Sequence, residues 1–238
     1  CIRLRLQDLR ISLHILKQIV RIGIPSALQM AITSFSNVFV QSYINVFGLD
    51  CMSGWTSCTK IDQFLLLPVQ SLALAATTFV GQNLGTGQVE RAKKGTRYAL
   101  FLSWGIALGL AALVVPTAPW LVAFFNDKPE VVEYGVMFLR LLCPCYLLVC
   151  INQIYAGSLR GAGISQVPTY IMLFSFVVFR QIYLYILTNF ITNTPLPVAA
   201  GYPLGWLICS ILTLVYYSRV DLAGKRVVDD PTSMPEKT

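Results

Sequence analysis

The sequence predicts an all-α membrane protein that crosses the bilayer six times. Three observations carry that prediction. Charged residues make up 12% of the chain and hydrophobic ones 55%, whereas a soluble domain carries about 25% charged residues to keep its surface dispersed. The mean hydropathy is +0.65, and six apolar runs each reach the roughly 20 residues that a bilayer span requires. The runs are continuous and lack the alternation of a barrel strand.

The elements follow in order. Residues 1–18 set Arg3, Arg5, Arg10 and Lys17 among leucines and isoleucines, the pattern of an amphipathic segment lying at a membrane surface. The six spans are expected at 19–47, 55–80, 98–125, 134–156, 167–190 and 198–217. Asp50 and Cys51 fall in a short loop after the first span. Residues 90–97 read as a basic loop, 126–133 as an acidic one, and 160–166 as a short loop with two glycines. The tail 219–238 is polar and its end is expected to be disordered. Pro25, Pro68, Pro116, Pro119 and Pro144 lie inside spans, where neighbouring helices or water must satisfy the carbonyls they free. The chain starts at Cys1 without a cleavable apolar leader, and so reads as a fragment rather than as a signal peptide.

The net charge of +7 is no nucleic-acid footprint, because the basic residues form no continuous patch. They sit instead at alternate inter-span segments. One side holds Arg3, Arg5, Arg10, Lys17, Arg21, Arg91, Lys93, Lys94, Arg97, Arg160, Arg219, Lys225, Arg226 and Lys237, and the other only Lys128. The positive-inside rule then places both termini in the cytoplasm of a multi-pass plasma-membrane protein. The seven cysteines form no CxxC pair and have one histidine, His14, for company. They read as small apolar residues rather than a zinc site, and no metal or organic cofactor is expected.

Ionisable groups inside a span cost roughly 2.5–3.5 kcal/mol and are therefore the first functional candidates. Asp62 on span two is the deepest acid and the candidate for ion coupling through Na+ or H+. Lys60, Arg140 and Arg180 are its candidate charge partners, with a buried ion pair from Asp62 to Arg140 or Arg180 as the structural alternative. Lys60 is placed to snorkel outward. On span one, Gln29, Thr33, Asn37, Gln41 and Asn45 recur every four residues on one helix face. That stripe either packs through hydrogen bonds or lines a watery cavity. Gln63, Asn152, Tyr155 and Gln181 are the further cavity candidates. No catalytic constellation appears: there is no GxSxG, no Walker loop and no histidine pair, so no enzyme is expected.

Gly81-Gln82-Asn83-Leu-Gly85-Thr-Gly87 and Gly157-Ser-Leu-Arg160-Gly161-Ala-Gly163 share the pattern G-x-x-x-G-x-G, each at a cytoplasmic helix end. The first, with the basic stretch Glu90–Lys94 behind it, resembles the loop between helices eight and nine of the MATE (multidrug and toxic compound extrusion) transporters, bacterial branch. Arg21-Ile-Gly23-Ile-Pro25-Ser-Ala-Leu-Gln29 looks like the start of their helix seven, and the second glycine segment is similar to their loop after helix ten. The resemblance covers residues 15–218 in the right order. It implies that the six spans form the C-terminal lobe of a twelve-helix antiporter. Its partners would be the lipid bilayer, an N-terminal six-helix lobe and small-molecule substrates. Two lobes would enclose a cavity and rock between outward- and inward-open states, exporting amphipathic organic compounds in exchange for Na+ or H+. One departure bears on coupling. Several MATE branches use a glutamate on helix seven and an acid on helix ten, and here spans one and four carry no acid at those depths. Coupling therefore falls to Asp62 or to the other lobe, and the latter is favoured. Other readings are a lipid-linked saccharide flippase of related architecture, an integral membrane enzyme, or a non-transporting membrane subunit.

Overall fold

Residues 13–222 are described by a computed structural model; the expected surface segment up to residue 12 and the tail beyond 222 lie outside the described residues. Among these the chain is helical throughout. Helices α1 (Leu13–Asn45), α2 (Leu49–Gly85) and α3 (Val89–Ala123) are unbroken. The fourth span is jointed: α4 (Pro129–Leu142) and α5 (Tyr146–Gly161) meet at a 3-10 turn, Cys143–Cys145. The fifth is α6 (Gln166–Leu173) and α7 (Arg180–Ile186), each followed by a π-helical stretch, Phe174–Phe179 and Leu187–Ile191. The sixth is α8 (Pro195–Ala199) and α9 (Gly201–Arg219).

Five stretches, from α2 onward, are long and apolar enough to cross a membrane. With 33 residues, α1 has the length as well, but its polar stripe sets it apart. Helices are the expected form, because a chain in hydrocarbon must satisfy its backbone within the segment.

Helical structure reaches further than the apolar runs. α1 runs without a break from Leu13, so no joint separates residues 13–18 from the first span. Asp50 and Cys51 sit in the first turn of α2, not in a loop. The basic stretch 90–97, expected as a loop, is the opening of α3. Its Glu, Arg, Ala and Lys residues favour helix, and Glu90 pairs with Lys93 at 3.2 Å. The acidic loop is shorter than expected because Pro129 starts α4 at the position where proline is best tolerated.

α2 is the hub, packing most extensively against α3, α4 and α5. Glycine sets both ends of that packing. A Cβ on Gly54 would lie 2.9 Å from the backbone nitrogen of Gly135 on α4. A Cβ on Gly157 would lie 2.5 Å from the Ala73 carbonyl, and one on Gly161 2.3 Å from the Thr77 carbonyl. Small residues thus let α2 and α5 touch backbone to backbone, and the Thr77 hydroxyl donates to the Gly157 carbonyl at 2.9 Å.

The two glycine motifs fold alike. Gly87 and Gly163 take positive φ, 76° and 78°. The amides of Gln88 and Ile164 both reach back five residues, to the carbonyls of Asn83 and Leu159, at 2.8 Å each. This is the Schellman closure, which needs a left-handed residue. The sequence echo therefore marks one helix-capping device used twice.

At the joint in span four, Pro144 cannot donate to the helix ladder. Side chains from neighbouring helices meet the carbonyls just beyond it. Trp104 Nε1 donates to Leu147 at 3.1 Å and Ser210 Oγ to Leu148 at 3.0 Å.

Candidate functional site

The joint presents Tyr146 to α2, where its hydroxyl donates to an Asp62 carboxylate oxygen. Tyr146 is also the end of a run of aromatic rings. Its ring lies 6.2 Å from that of Trp206, Trp206 lies 6.0 Å from Tyr202, and Tyr202 lies 5.2 Å from Trp55. Trp55 in turn meets Phe138 edge-on at 5.0 Å. Tyr202 and Trp206 share a face of α9 one turn apart, and Trp55 and Phe138 are buried.

Arg180 closes the other side. It follows the first π-helical stretch, and it is 2% exposed. Its guanidinium carbon lies 4.5 Å from the centre of the Tyr202 ring and 5.1 Å from that of Phe176, and Nη1 donates to Asn37 Oδ1 at 3.1 Å. The Tyr202 ring lies against Arg180 and is linked through Trp206 to Tyr146, which holds Asp62. One polar centre thus joins α1 through Asn37, α2 through Asp62, α5 through Tyr146, α7 through Arg180 and α9 through Tyr202. Nε of Arg180 and Nε2 of Gln181 are buried donors with no acceptor among the described residues.

The ion pair from Asp62 to Arg140 or Arg180, the structural alternative to ion coupling, is not formed among the described residues. Among the described residues the ion pairs are Lys93–Glu90 and Lys128–Asp50. Asp62 takes a tyrosine hydroxyl instead, Arg180 an amide oxygen and two rings, and Arg140 is exposed in a groove on α4. Lys60 is exposed, its Nζ 5.3 Å from the centre of the Phe125 ring.

The polar stripe of α1 divides. Asn37 belongs to the centre, Gln41 donates to Asn45 at 2.8 Å, Thr33 is half-buried, and the side chain of Gln29 lies outside the described residues. Ser36, one position off the stripe, is buried and donates to the Phe176 carbonyl in the π-helical stretch. Asn152 does not face a cavity. It is buried between α5 and α9, donating to the Trp206 carbonyl at 3.2 Å and accepting from Ser210 at 3.0 Å. The Tyr155 ring lies 4.6 Å from that of Tyr217, tilted by 56°, and Gln63 is exposed.

In the motif segments, Gly81 faces Gly161, the side chain of Asn83 donates to the Phe79 carbonyl at 2.7 Å, Gln82 is exposed and Arg160 is half-buried. Gly23 and Gly85 have open space around them, and nothing of the Pro25 side chain is described. The described cysteines are free thiols, all buried but Cys145.

Sequence reasoning missed Tyr146, Tyr202, Trp55 and Trp206, which in an apolar span read as core. The available signal was that buried tyrosine hydroxyls and indole nitrogens seek polar partners, and that Tyr146 follows a Cys-Pro-Cys break. Tyr146→Phe is expected to leave Asp62 without its donor and to lower stability by about 1–3 kcal/mol. Thermal unfolding of the purified variant checks this, and an unchanged melting temperature would remove the bond from the account.

The MatE family model matches residues 25–186. The chain is 24% identical over 212 residues to the probable multidrug resistance protein YoeA of Bacillus subtilis, covering 89% of this chain and 46% of that one. It is 22% identical over 161 residues to the probable multidrug resistance protein NorM of Thermotoga maritima, covering 67% and 34%. A solved MOP superfamily transporter from Pyrococcus furiosus, described as having a binding pocket of reverse polarity, superposes with a TM-score of 0.83 at 23% identity, covering 90% of this chain and 48% of that one. The chain thus spans about half the length of the YoeA relative and of this solved structure.

Proposed function

This chain belongs to the MatE family, and on that premise we propose that it is the second six-helix lobe of a secondary transporter exporting amphipathic organic compounds in exchange for Na+ or H+. The other half of the relatives' length would supply the first lobe, and the two lobes would give alternating access to a cavity between them. The relatives named above are transporters or multidrug resistance proteins, which favours export over the flippase, enzyme and subunit readings. The basic residues at the helix ends, Arg91, Lys93, Lys94, Arg97, Arg160 and Arg219, support a cytoplasmic placement of the end that bears them, in a plasma membrane.

The observation that carries the reading is the polar centre itself. A buried guanidinium, a carboxylate and two tyrosines inside an apolar lobe are costly, and intramembrane groups of this kind mark transport pathways. The spare donors of Arg180 and Gln181 favour substrates with acceptor groups, neutral or zwitterionic, over purely cationic ones.

Coupling is assigned to the first lobe. Against Na+ at Asp62, a hard cation needs several oxygen ligands, whereas among the described residues the hydrogen-bond partner of Asp62 is a single hydroxyl; against H+, spans one and four lack the acids that other branches of the family use. The test uses the full-length protein in proteoliposomes with an imposed Na+ or H+ gradient and an amphipathic dye. Gradient-driven dye movement is expected, and its absence for a broad dye and drug panel would defeat the export reading. Asp62→Asn is expected to retain transport within about threefold across pH, less than 1 kcal/mol in barrier. An abolished gradient response would move coupling to Asp62.

A further inference from the structure

We propose that the open groove at the acidic end of the lobe binds the headgroup of a zwitterionic phospholipid bearing a primary ammonium. The groove has a volume of about 930 Å³ and is bounded by the end of α3, one face of α4 and the start of α8. Its charged groups are Asp127, Glu133 and Arg140, and its walls are otherwise apolar, including Val136 and Leu141. All three charged residues are exposed, and none takes part in an ion pair among the described residues. The site stands apart from the polar centre, and its argument does not depend on the transport reading.

The order of the charges selects the ligand. Asp127 precedes α4, Glu133 lies in its second turn, and Arg140 is two turns deeper on the same face, roughly 10 Å along the axis. Helical side chains lean toward the N-terminus. The Arg140 guanidinium is therefore carried upward toward Glu133 and the headgroup layer, its stem lying on the apolar wall. A phospholipid presents the matching order, with its amine outermost, its phosphate beneath and its acyl chains below that. Asp127 and Glu133 accept N–H bonds from the ammonium, Arg140 donates to the phosphate, and the first methylenes of an acyl chain run along Val136 and Leu141. Choline has no N–H to donate, and a glycerol headgroup brings no cation to the two carboxylates. Phosphatidylethanolamine chemistry fits all three groups, and the bilayer supplies it without a free ligand having to be captured.

The full-length protein, purified in mild detergent, is offered equal amounts of phosphatidylethanolamine, phosphatidylcholine and phosphatidylglycerol, and retained lipid is read by native mass spectrometry. Phosphatidylethanolamine is expected to be retained about tenfold over either competitor, the ratio that one charge-assisted hydrogen bond supplies. Arg140→Gln is expected to cut its retention by a similar factor. Asp127→Asn with Glu133→Gln is expected to bring the ethanolamine-to-choline ratio to about one, because the phosphate contact remains. Equal retention of the ethanolamine and choline lipids by the unaltered protein overturns the proposal. So does a preference for phosphatidylglycerol, or an ethanolamine preference that survives both variants. The unaltered protein alone can overturn it, so a misfolded variant does not shield it.

Discussion

Gly161→Val is expected to keep the protein from accumulating in a folded state, with a loss of about 3 kcal/mol or more. The added carbon would stand 2.3 Å from the Thr77 carbonyl oxygen, 3.1 Å from its carbon and 3.2 Å from the Gly81 nitrogen. All three are backbone atoms of α2, so no side chain can swing away, and relief requires the two helices to separate. Separation would also open the contact of Gly157 with Ala73 and the bond from Thr77 to the Gly157 carbonyl. Gly85→Val is the control. Gly85 occupies the position in the first motif that Gly161 occupies in the second, yet nothing lies within 4 Å of a Cβ there. It is expected to stay within about 1 kcal/mol of the parent. Size-exclusion elution and melting temperature in detergent read both variants. Equal behaviour of the two would show that the close crossing of α2 and α5 does not govern folding.

Arg180→Met is expected to leave the melting temperature unchanged or raised while lowering transport by about tenfold or more, at least 1.4 kcal/mol in barrier. The guanidinium is buried, its Nε has no acceptor and no ion pair holds it. Replacing such a buried charge with an apolar chain of similar length is often neutral or stabilising. The lost hydrogen bond to Asn37 and the two ring contacts set the other side of that balance, each about 1 kcal/mol. Parallel melting and proteoliposome measurements separate the two effects. A large drop in melting temperature with unaltered transport per folded molecule would make Arg180 a structural residue.

Much of this was legible in the sequence, and its limits have physical reasons. Apolar runs locate spans because hydrocarbon tolerates little else, but they end where the bilayer ends, not where the helix does. Hence 90–97 read as a loop although those residues extend α3 beyond the apolar run. Asp62, Arg180 and Asn37 stood out because charge and polarity are costly in a span. Their pairing did not, because it depends on which residues the joint at 143–145 and the π-helical stretch at 174–179 turn inward. Asn152 was misjudged for a related reason. Polarity at depth is equally the mark of a water-facing group and of a bond between two helices, and only the Trp206 and Ser210 contacts decide. The repeated glycine pattern was visible, but the Schellman closures and the backbone contact of Gly81 with Gly161 required the fold.

The 3-10 turn at Cys143–Cys145 divides the fourth span into two arms, each packed on α2. Both arms are held to α2 by glycine, α5 at Gly157 and Gly161 and α4 at Gly135 against Gly54. The outer arm, α4, has 14 residues and is about 21 Å long at 1.5 Å per residue. Tyr146 sits at the fulcrum, and its bond to Asp62 is made there rather than along either arm. The bond from Tyr146 to Asp62 therefore ties the joint to α2 between two glycine contacts, one on each arm.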